Sequence, residues 1–290
     1  MKAAVLRDGG ALAIEDVPEP AGDVVDVHAA GINFADVLIR RSLYPQMPEL
    51  PYVLGGEVAG EIDGRRVAAF VEGGFAERAA LKWSIDLPEH ATFPQGAGFL
   101  TTYLTAYIPY AQRTYTDSVL VHAGSGGVGT AAIQLGKVEG ATVYATASTD
   151  EKRAFALKAG ADEVFAYDEI DDLRVDLVID PVGGDVFTRS LPLLNPLGAI
   201  AAIGFAGGLW QDPSVQWLVG RNASVMGVYL GRLMKHEPEL VHRYAEELLA
   251  LWRDGEIEPV VGATFPLDRV DEALSSIEQR THMGKVVLEP

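Results

Sequence analysis

The sequence predicts a two-domain α/β protein, a doubly wound parallel sheet joined to a smaller, mainly β domain. Three observations carry this. Strand-like and helix-like runs alternate from about residue 119 to residue 229, and a glycine-rich turn opens the alternation. The stretch before residue 90 reads instead as short strands broken by Gly and Pro. Alternation of the first kind packs helices on both faces of a parallel sheet and leaves ligands at the carboxyl ends of its strands.

The elements follow in order of information. An apolar run, 119–123, reads as a buried strand; it ends in Gly124-Ser125-Gly126-Gly127-Val128-Gly129, and a helix is expected from Thr130. Glycines at 124, 126 and 129 give the G-x-G-x-x-G spacing of a dinucleotide loop in its required setting, strand then turn then helix. The first permits the turn, the second lets backbone approach a pyrophosphate, and the third lets helix pack on strand. Free N–H groups at the helix start then hold the phosphates. Further strands are expected at 142–147, 163–166, 175–180, 199–204 and 224–229, with a helix at 151–159 closed by Gly160. Together they make a Rossmann domain. Ser148, Asp180 and Gly204 fall at or just beyond strand ends, so they are expected to face the cofactor, and Ile203, Phe205 and Gly227 are grouped with them. The same turn also resembles a hydrolase nucleophile elbow centred on Ser125, with Asp271 and His282 as partners. An elbow, however, requires neither Gly129 nor cofactor-type residues after the next strand.

Before residue 90, strands are expected at 3–7, 11–15 and 24–29, and Asp63-Gly64 signals a hairpin. Residues 33–41 fit a helix with Phe34, Val37 and Leu38 on one face. One helix at 94–108 should lead into the nucleotide domain, and a long one is expected at 237–253. The terminal strand 284–289 has no place in the parallel sheet and should return to the first domain. The expected division is 1–100 with 233–290 for the β domain, and 101–232 for the nucleotide domain.

Composition narrows the function. The chain has 290 residues, 48% hydrophobic, with 23 Lys and Arg against 41 Asp and Glu, so its net charge is 23 − 41 = −18. That charge opposes binding to phosphate backbones, so no nucleic-acid role is expected. No run approaches the roughly 18 apolar residues of a membrane span, and the start of the chain does not read as a signal peptide. There is no cysteine, hence no disulfide and no thiolate metal site. A cytoplasmic location is the expectation.

Ala30-Gly-Ile-Asn-Phe-Ala-Asp36, Arg41-Ser-Leu-Tyr-Pro45, Gly55-Gly-Glu57, Asp180-Pro-Val-Gly-Gly184 and Gly284-Lys-Val-Val-Leu288 accompany the glycine loop. With these, the chain resembles the medium-chain dehydrogenase/reductase superfamily, specifically its zinc-independent quinone oxidoreductase branch. The resemblance implies a GroES-like β domain, a Rossmann domain, a cleft between them and a homodimer. Where the zinc-dependent branch carries a Cys ligand, this chain has Asn33, and where that branch has Gly-His-Glu, it has Gly56 in place of the His. None of the six histidines forms a recognisable ligand pair, so no metal is expected. Without a Lewis acid, an isolated ketone is a poor hydride acceptor. A quinone, enone or enoyl thioester spreads the developing charge and needs only hydrogen bonds.

The resemblance also assigns site residues. An NAD enzyme usually places an acid at the end of the second strand; here that strand ends in Ser148, with Lys152 and Tyr167 following. In NADPH-using relatives the matching residues surround the 2′-phosphate, and Arg280 matches a further phosphate-binding Arg. NADPH is therefore the expected cofactor, with Asp150 as the one contrary sign. Asn33, Asp36 and Tyr44 are the candidate catalytic residues, Asn33 and Tyr44 also facing the cofactor, and Thr105 is placed against the nicotinamide. Asp36 has a plain alternative role in capping, and Glu57 has no assigned role. The expected activity is NADPH-dependent reduction of a quinone or similar conjugated carbonyl. The alternatives are an enoyl-thioester or alkenal/enone reductase on the same scaffold, and a non-catalytic NADPH-binding protein.

Overall fold

Alternating apolar residues and early Gly and Pro breaks produce the first set of strands. They are β1 (Lys2–Leu6), β2 (Leu12–Asp16) and β3 (Val24–Ile32), then α1 (Phe34–Arg40), β4 (Tyr52–Val53), β5 (Glu57–Ile62), β6 (Arg65–Glu72) and β7 (Arg78–Asp86). Helices α2 (Phe93–Ala97) and α3 (Leu100–Ala111) follow. The computed structural model describes residues 1–113 and 116–290. It separates into two compact units, Met1–Thr101 with Glu258–Pro290, and Thr102–Ile257.

In the first unit the main sheet runs β14-β15-β3-β5-β6-β7, with β3 also pairing β7, while β2-β1-β4 form a small second sheet; β14 is Val261–Pro266 and β15 is Lys285–Glu289. Asp63 and Gly64 both take left-handed φ (51° and 78°) between the paired residues Ile62 and Arg65, the two-residue turn the sequence signalled. The terminal strand β15 pairs antiparallel with β3, as its apolar run required. Helix α10 (Val270–Glu278) buries Val270, Ala273, Leu274 and Ile277 in the same core as Val37, Val58 and Val286.

The second unit is built on six strands: β8 (Ser118–Val121), β9 (Thr142–Thr146), β10 (Glu163–Phe165), β11 (Val175–Asp180), β12 (Leu194–Ala202) and β13 (Ser224–Gly227). Between them lie α4 (Gly127–Val138), α5 (Asp150–Lys158), α6 (Gly184–Ser190) and α7 (Val215–Arg221), and α8 (Leu230–His236) and α9 (Pro238–Arg253) close the unit. Strand order is β10-β9-β8-β11-β12-β13, with every neighbouring pair parallel. The chain winds outward in one direction from β8 and then in the other from β11. Ligands of such sheets bind at that reversal, beyond the carboxyl ends.

Four expectations are corrected. The helix expected at 94–108 is two helices, because the chain breaks at Gly98 and Phe99 and the Thr101 N–H turns to the Glu57 carboxylate. Helix α4 starts at Gly127, not Thr130, so Gly127, Val128 and Gly129 form its first turn. Strand β12 begins at Leu194, well before residue 199, and bulges past Gly198. Residues 233–257 lie in the second unit, not with the β domain. There α9 buries Val241, Ala245, Leu248, Leu249 and Trp252, and holds Tyr107 of α3 by a hydroxyl bond to Glu247 (2.8 Å) and an edge contact with Tyr244. Among the described residues, no helix is long and apolar enough to cross a membrane.

Candidate functional site

The glycine loop sits at the sheet's reversal and its geometry separates three roles. A Cβ on Gly129 would lie 2.2 Å from the Ala123 carbonyl oxygen, and one on Gly124 would lie 2.8 Å from the Ala145 Cβ, so both glycines are demanded by packing. The left-handed residue of the turn is Ala123 (φ 51°), where the sequence had pointed to Gly124. A Cβ on Gly126 would touch only the Ala123 oxygen, at 3.4 Å. Nothing among the described residues requires a glycine there. The surface above it is open, and Gly126 caps α4, whose first N–H groups have no carbonyl one turn earlier. An anion fits such a cradle, so the loop suits the pyrophosphate of a dinucleotide. Ser125 is buried beside it, and Asp271, the acid of the hydrolase alternative, is ion-paired to Arg40 at 2.5 Å.

Beneath the loop lies a group the sequence did not flag as functional. His122 is fully buried, its Nδ1 2.8 Å from the Thr146 hydroxyl and its Nε2 2.7 Å from the Ser190 hydroxyl. Ser190 spends its own proton on the Val186 carbonyl (2.7 Å), so it can only accept from His122. The ring must therefore carry its proton on Nε2 and accept from Thr146 at Nδ1. Burial pushes the imidazole down to about 3, which keeps it neutral. Thr146 also accepts the Gly124 N–H (2.9 Å) through its carbonyl, and Tyr167 stacks on His122 at 5.9 Å. One ring thus ties together the ends of β8 and β9, the last turn of α6 and Tyr167. A polar residue inside the otherwise apolar run 119–123 was the available signal.

The residues expected around a 2′-phosphate are divided between the two units, Ser148, Lys152 and Tyr167 in the second and Arg280 in the first. Ser148 is exposed beyond β9, and Lys152 is half-buried in the first turn of α5, whose cap Thr149 accepts the Lys152 N–H (3.3 Å). Asp150, the contrary sign, points outward and is paired with Arg153. Arg280 is exposed after α10 in the first unit. Asp180 is fully buried at the end of β11; its Oδ1 accepts from the Val182 and Gly183 N–H groups, while Oδ2 has no partner among the described residues. Burial raises its carboxyl above the ordinary value. Ile203 and Gly204 follow β12, with Ile203 N–H on the Asp180 carbonyl (2.9 Å), and Phe205 packs on Trp210. Gly227 ends β13 and is exposed, and Thr105 is buried in α3.

The first unit holds the other candidates. Tyr44 is half-buried in the irregular segment between α1 and β4. Asp36 accepts the Asn33 N–H (2.8 Å) and so caps α1, the plainer of its two expected roles. Its burial lifts the carboxyl to about 6, against the pull of the Asn33 N–H and of the Lys285 ammonium. The Asn33 side chain belongs to a buried cluster: Lys285 Nζ lies 2.7 Å from Asn33 Oδ1 and 2.9 Å from Glu57 Oε2, and Asn33 Nδ2 donates to the same Glu57 oxygen (3.1 Å). This donor set does not suit zinc. It offers one amide, one carboxylate already carrying three donors, no thiolate, and an ammonium between them that would repel a divalent ion. Lys285, inside the apolar run Lys285-Val-Val-Leu288, was the residue that sequence reasoning missed.

A doubly wound sheet with this loop at its reversal defines a dinucleotide-binding α/β protein carrying a separate β unit. Residues 20–84 match the family described as alcohol dehydrogenase GroES-like domain, and residues 159–288 that described as zinc-binding dehydrogenase. Human quinone oxidoreductase is 33% identical over 94% of this chain and 90% of its own length. The rat synaptic vesicle membrane protein VAT-1 homolog is 32% identical, over 96% of this chain and 79% of its own. The crystal structure of the quinone oxidoreductase from Thermus thermophilus, studied also in complex with NADPH, matches with a TM-score of 0.92 at 38% identity, covering all of both chains. The chain belongs to the medium-chain dehydrogenase/reductase superfamily, in its quinone oxidoreductase branch.

Two outcomes follow from the geometry of the second unit. Gly129→Ala is expected to cost at least about 1–3 kcal/mol of stability by overpacking. Gly126→Ala should leave the melting temperature nearly unchanged while weakening a nicotinamide dinucleotide in a binding titration. Equal melting temperatures for the two variants would refute this division of roles. His122 should show the nitrogen-15 pattern of a neutral Nε2–H imidazole from about pH 8 to about pH 5, with no titration step. Because its folded value is depressed from 6.5 to about 3, the unfolded chain binds the extra proton first as pH falls. Relative to His122→Gln, the wild type should therefore lose about 1.4 kcal/mol of stability per pH unit below about 6.5. A flat difference would contradict a ring held neutral by burial.

Proposed function

We propose that the protein is an NADPH-dependent reductase that transfers hydride to a quinone or a similar conjugated carbonyl, and that it does so without zinc. The observation that carries the cofactor choice is the end of β9. Ser148 stands where an NAD enzyme has an acid, Lys152 follows in the first turn of α5, and Asp150 is turned out to Arg153. NADPH, when bound, supplies the hydride. The chain's own part is to hold the pyrophosphate on the α4 N-terminus, the 2′-phosphate near Lys152, and the acceptor oxygen by hydrogen bonds.

The acceptor class follows from the donor set at Asn33, Glu57 and Lys285, which offers no Lewis acid. A quinone delocalises the added charge to a hydroquinone anion whose oxygens water can protonate. Likeness to the human and Thermus thermophilus quinone oxidoreductases supports the same class. Steady-state NADPH oxidation with 1,4-benzoquinone, before and after exhaustive chelation, tests it, and turnover that disappears with a removed stoichiometric metal would defeat it. The same reading takes the protein as a cytoplasmic homodimer. The unpaired outer side of β13 among the described strands, with exposed Leu197, Val215 and Val219 nearby in sequence, supports a second copy.

Lys152→Ala should remove a charge-assisted contact of about 1.5–3 kcal/mol, roughly a 10- to 150-fold loss in NADPH affinity. NADH affinity should hardly move. Equal weakening of both cofactors would show that Lys152 does not read the 2′-phosphate. An enoyl thioester, by contrast with a quinone, gives an enolate that must be protonated at carbon, and general acid catalysis there contributes about 10²- to 10⁴-fold. Tyr44→Phe should therefore leave benzoquinone reduction within about tenfold of wild type and depress any crotonyl thioester activity far more. High crotonyl turnover that collapses in Tyr44→Phe, beside negligible quinone turnover, would replace the quinone assignment with the enoyl one.

A further inference from the structure

The first unit buries a complete ion pair that the proposed reaction leaves unused. Lys285 opens β15 and is 4% exposed; Glu57 opens β5 and is 0% exposed. Desolvating both charges costs several kcal/mol each, and an apolar pair of the same volume would often be as stable. The surrounding chain nevertheless makes room for the lysine. A Cβ on Gly31 would sit 3.0 Å from Lys285 Cε, as well as 2.0 Å from the Ala97 carbonyl, and one on Gly98 would sit 3.1 Å from Lys285 Cγ. The stem runs past two residues without side chains to deliver its ammonium to one place.

What the ammonium does there follows from donor counting. It can only donate, so the Asn33 oxygen must be the atom 2.7 Å from it, and the Asn33 NH₂ group must face Glu57. One N–H of that group goes to Glu57 Oε2 at 3.1 Å. The other has, among the described residues, only the Gly31 carbonyl at 3.5 Å, the limit of a hydrogen bond, and Asn33 is half-buried where its partners are wholly so. Glu57 itself is held by the Thr101 N–H (2.8 Å), a free donor in the first turn of α3. A cation on the amide oxygen also draws electron density from the nitrogen and strengthens its remaining N–H as a donor.

We propose that Lys285 is a positioning residue for the reduction: with Glu57 it locks the Asn33 amide so that one strengthened N–H is presented to the carbonyl oxygen of the acceptor. The cation of this site is then the ammonium of Lys285. This rests on the proposed reduction of a conjugated carbonyl. Asn33 is the group that touches the acceptor, and Lys285 acts through it.

The test uses the full chain and an isosteric, neutral pair. Lys285→Met alone leaves Glu57 buried without its partner and should lower the melting temperature. Lys285→Met with Glu57→Gln should recover most of that stability. If the pair only supports the fold, kcat recovers with it. On the proposal, kcat for benzoquinone stays about 10- to 100-fold down, while NADPH affinity remains within about twofold of wild type. In an Asn33→Ala background the double change should have little further effect on kcat, because its route runs through Asn33. The Asn33 side-chain amide resonances give a readout free of turnover: their wild-type inequivalence should shrink in the double variant. Full kcat in a stable double variant, or additive losses in the Asn33→Ala background, would overturn the inference alone. Wild-type inactivity toward quinones, enones and enoyl thioesters would overturn it together with the reaction on which it rests.

Discussion

The contact between Gly129 and the carbonyl of Ala123 governs the second unit. A buried strand must become a helix abruptly at the end of β8, and only a residue without Cβ lets α4 come close enough to do so. That contact aims the helix start past Gly126. The strand ends of this unit are placed relative to it, because β9, β11 and β12 run parallel to β8 and end on the same side. Backbone bonds make the arrangement continuous: His122 N–H donates to the Ile179 carbonyl, Gly124 N–H to Thr146, and Ile203 N–H to Asp180. The left-handed Ala123 costs on the order of 1 kcal/mol, a strain held by the Gly126 N–H on its carbonyl (2.9 Å) and by the close approach of Gly129.

Glu57 has the corresponding position in the first unit. Its carboxylate caps α3 through Thr101, receives Asn33 at the junction of β3 and α1, and neutralises Lys285 of β15. Elements distant in sequence therefore share one buried charge. Asp36, bonded to the Asn33 N–H, adds a second acid whose burial raises it to about 6, against the pull of that N–H and of the ammonium. A divalent metal would need ligands that bring charge of their own. The amide, carboxylate and ammonium balance without it.

Much of this was legible in the sequence, for reasons that also explain what was not. Period and punctuation located the parallel strands, the Asp63-Gly64 turn and the returning strand β15, because each depends on local pattern. The break at Gly98 escaped because the run 94–108 has good helical periodicity. What breaks it is a carboxylate far earlier in the chain, about which periodicity says nothing. Helix α9 was assigned to the wrong unit for the same reason: its amphipathic face is clear, but its partner, Tyr107, is not local. His122 and Lys285 stood in plain sight as polar residues within apolar strands. A strand reading absorbed both, since only the three-dimensional arrangement brings each polar group against its specific partners.

Electrostatics sets the last constraint. A chain of net charge −18 has to attract a cofactor that is itself an anion. Screening decides how much the overall charge matters: at physiological salt the Debye length is about 8 Å, so most surface carboxylates act weakly on any one phosphate. Local donors then dominate. The first turn of α5 shows the compromise, since Asp150 and Glu151 favour the positive end of that helix yet would repel a 2′-phosphate. Arg153 draws Asp150 outward and leaves the half-buried Lys152 as the cation closest to Ser148 in sequence. Helix stability and local charge are thereby balanced on one turn: the acids serve the helix dipole from its outer side, and Lys152 adds a cation to the same turn.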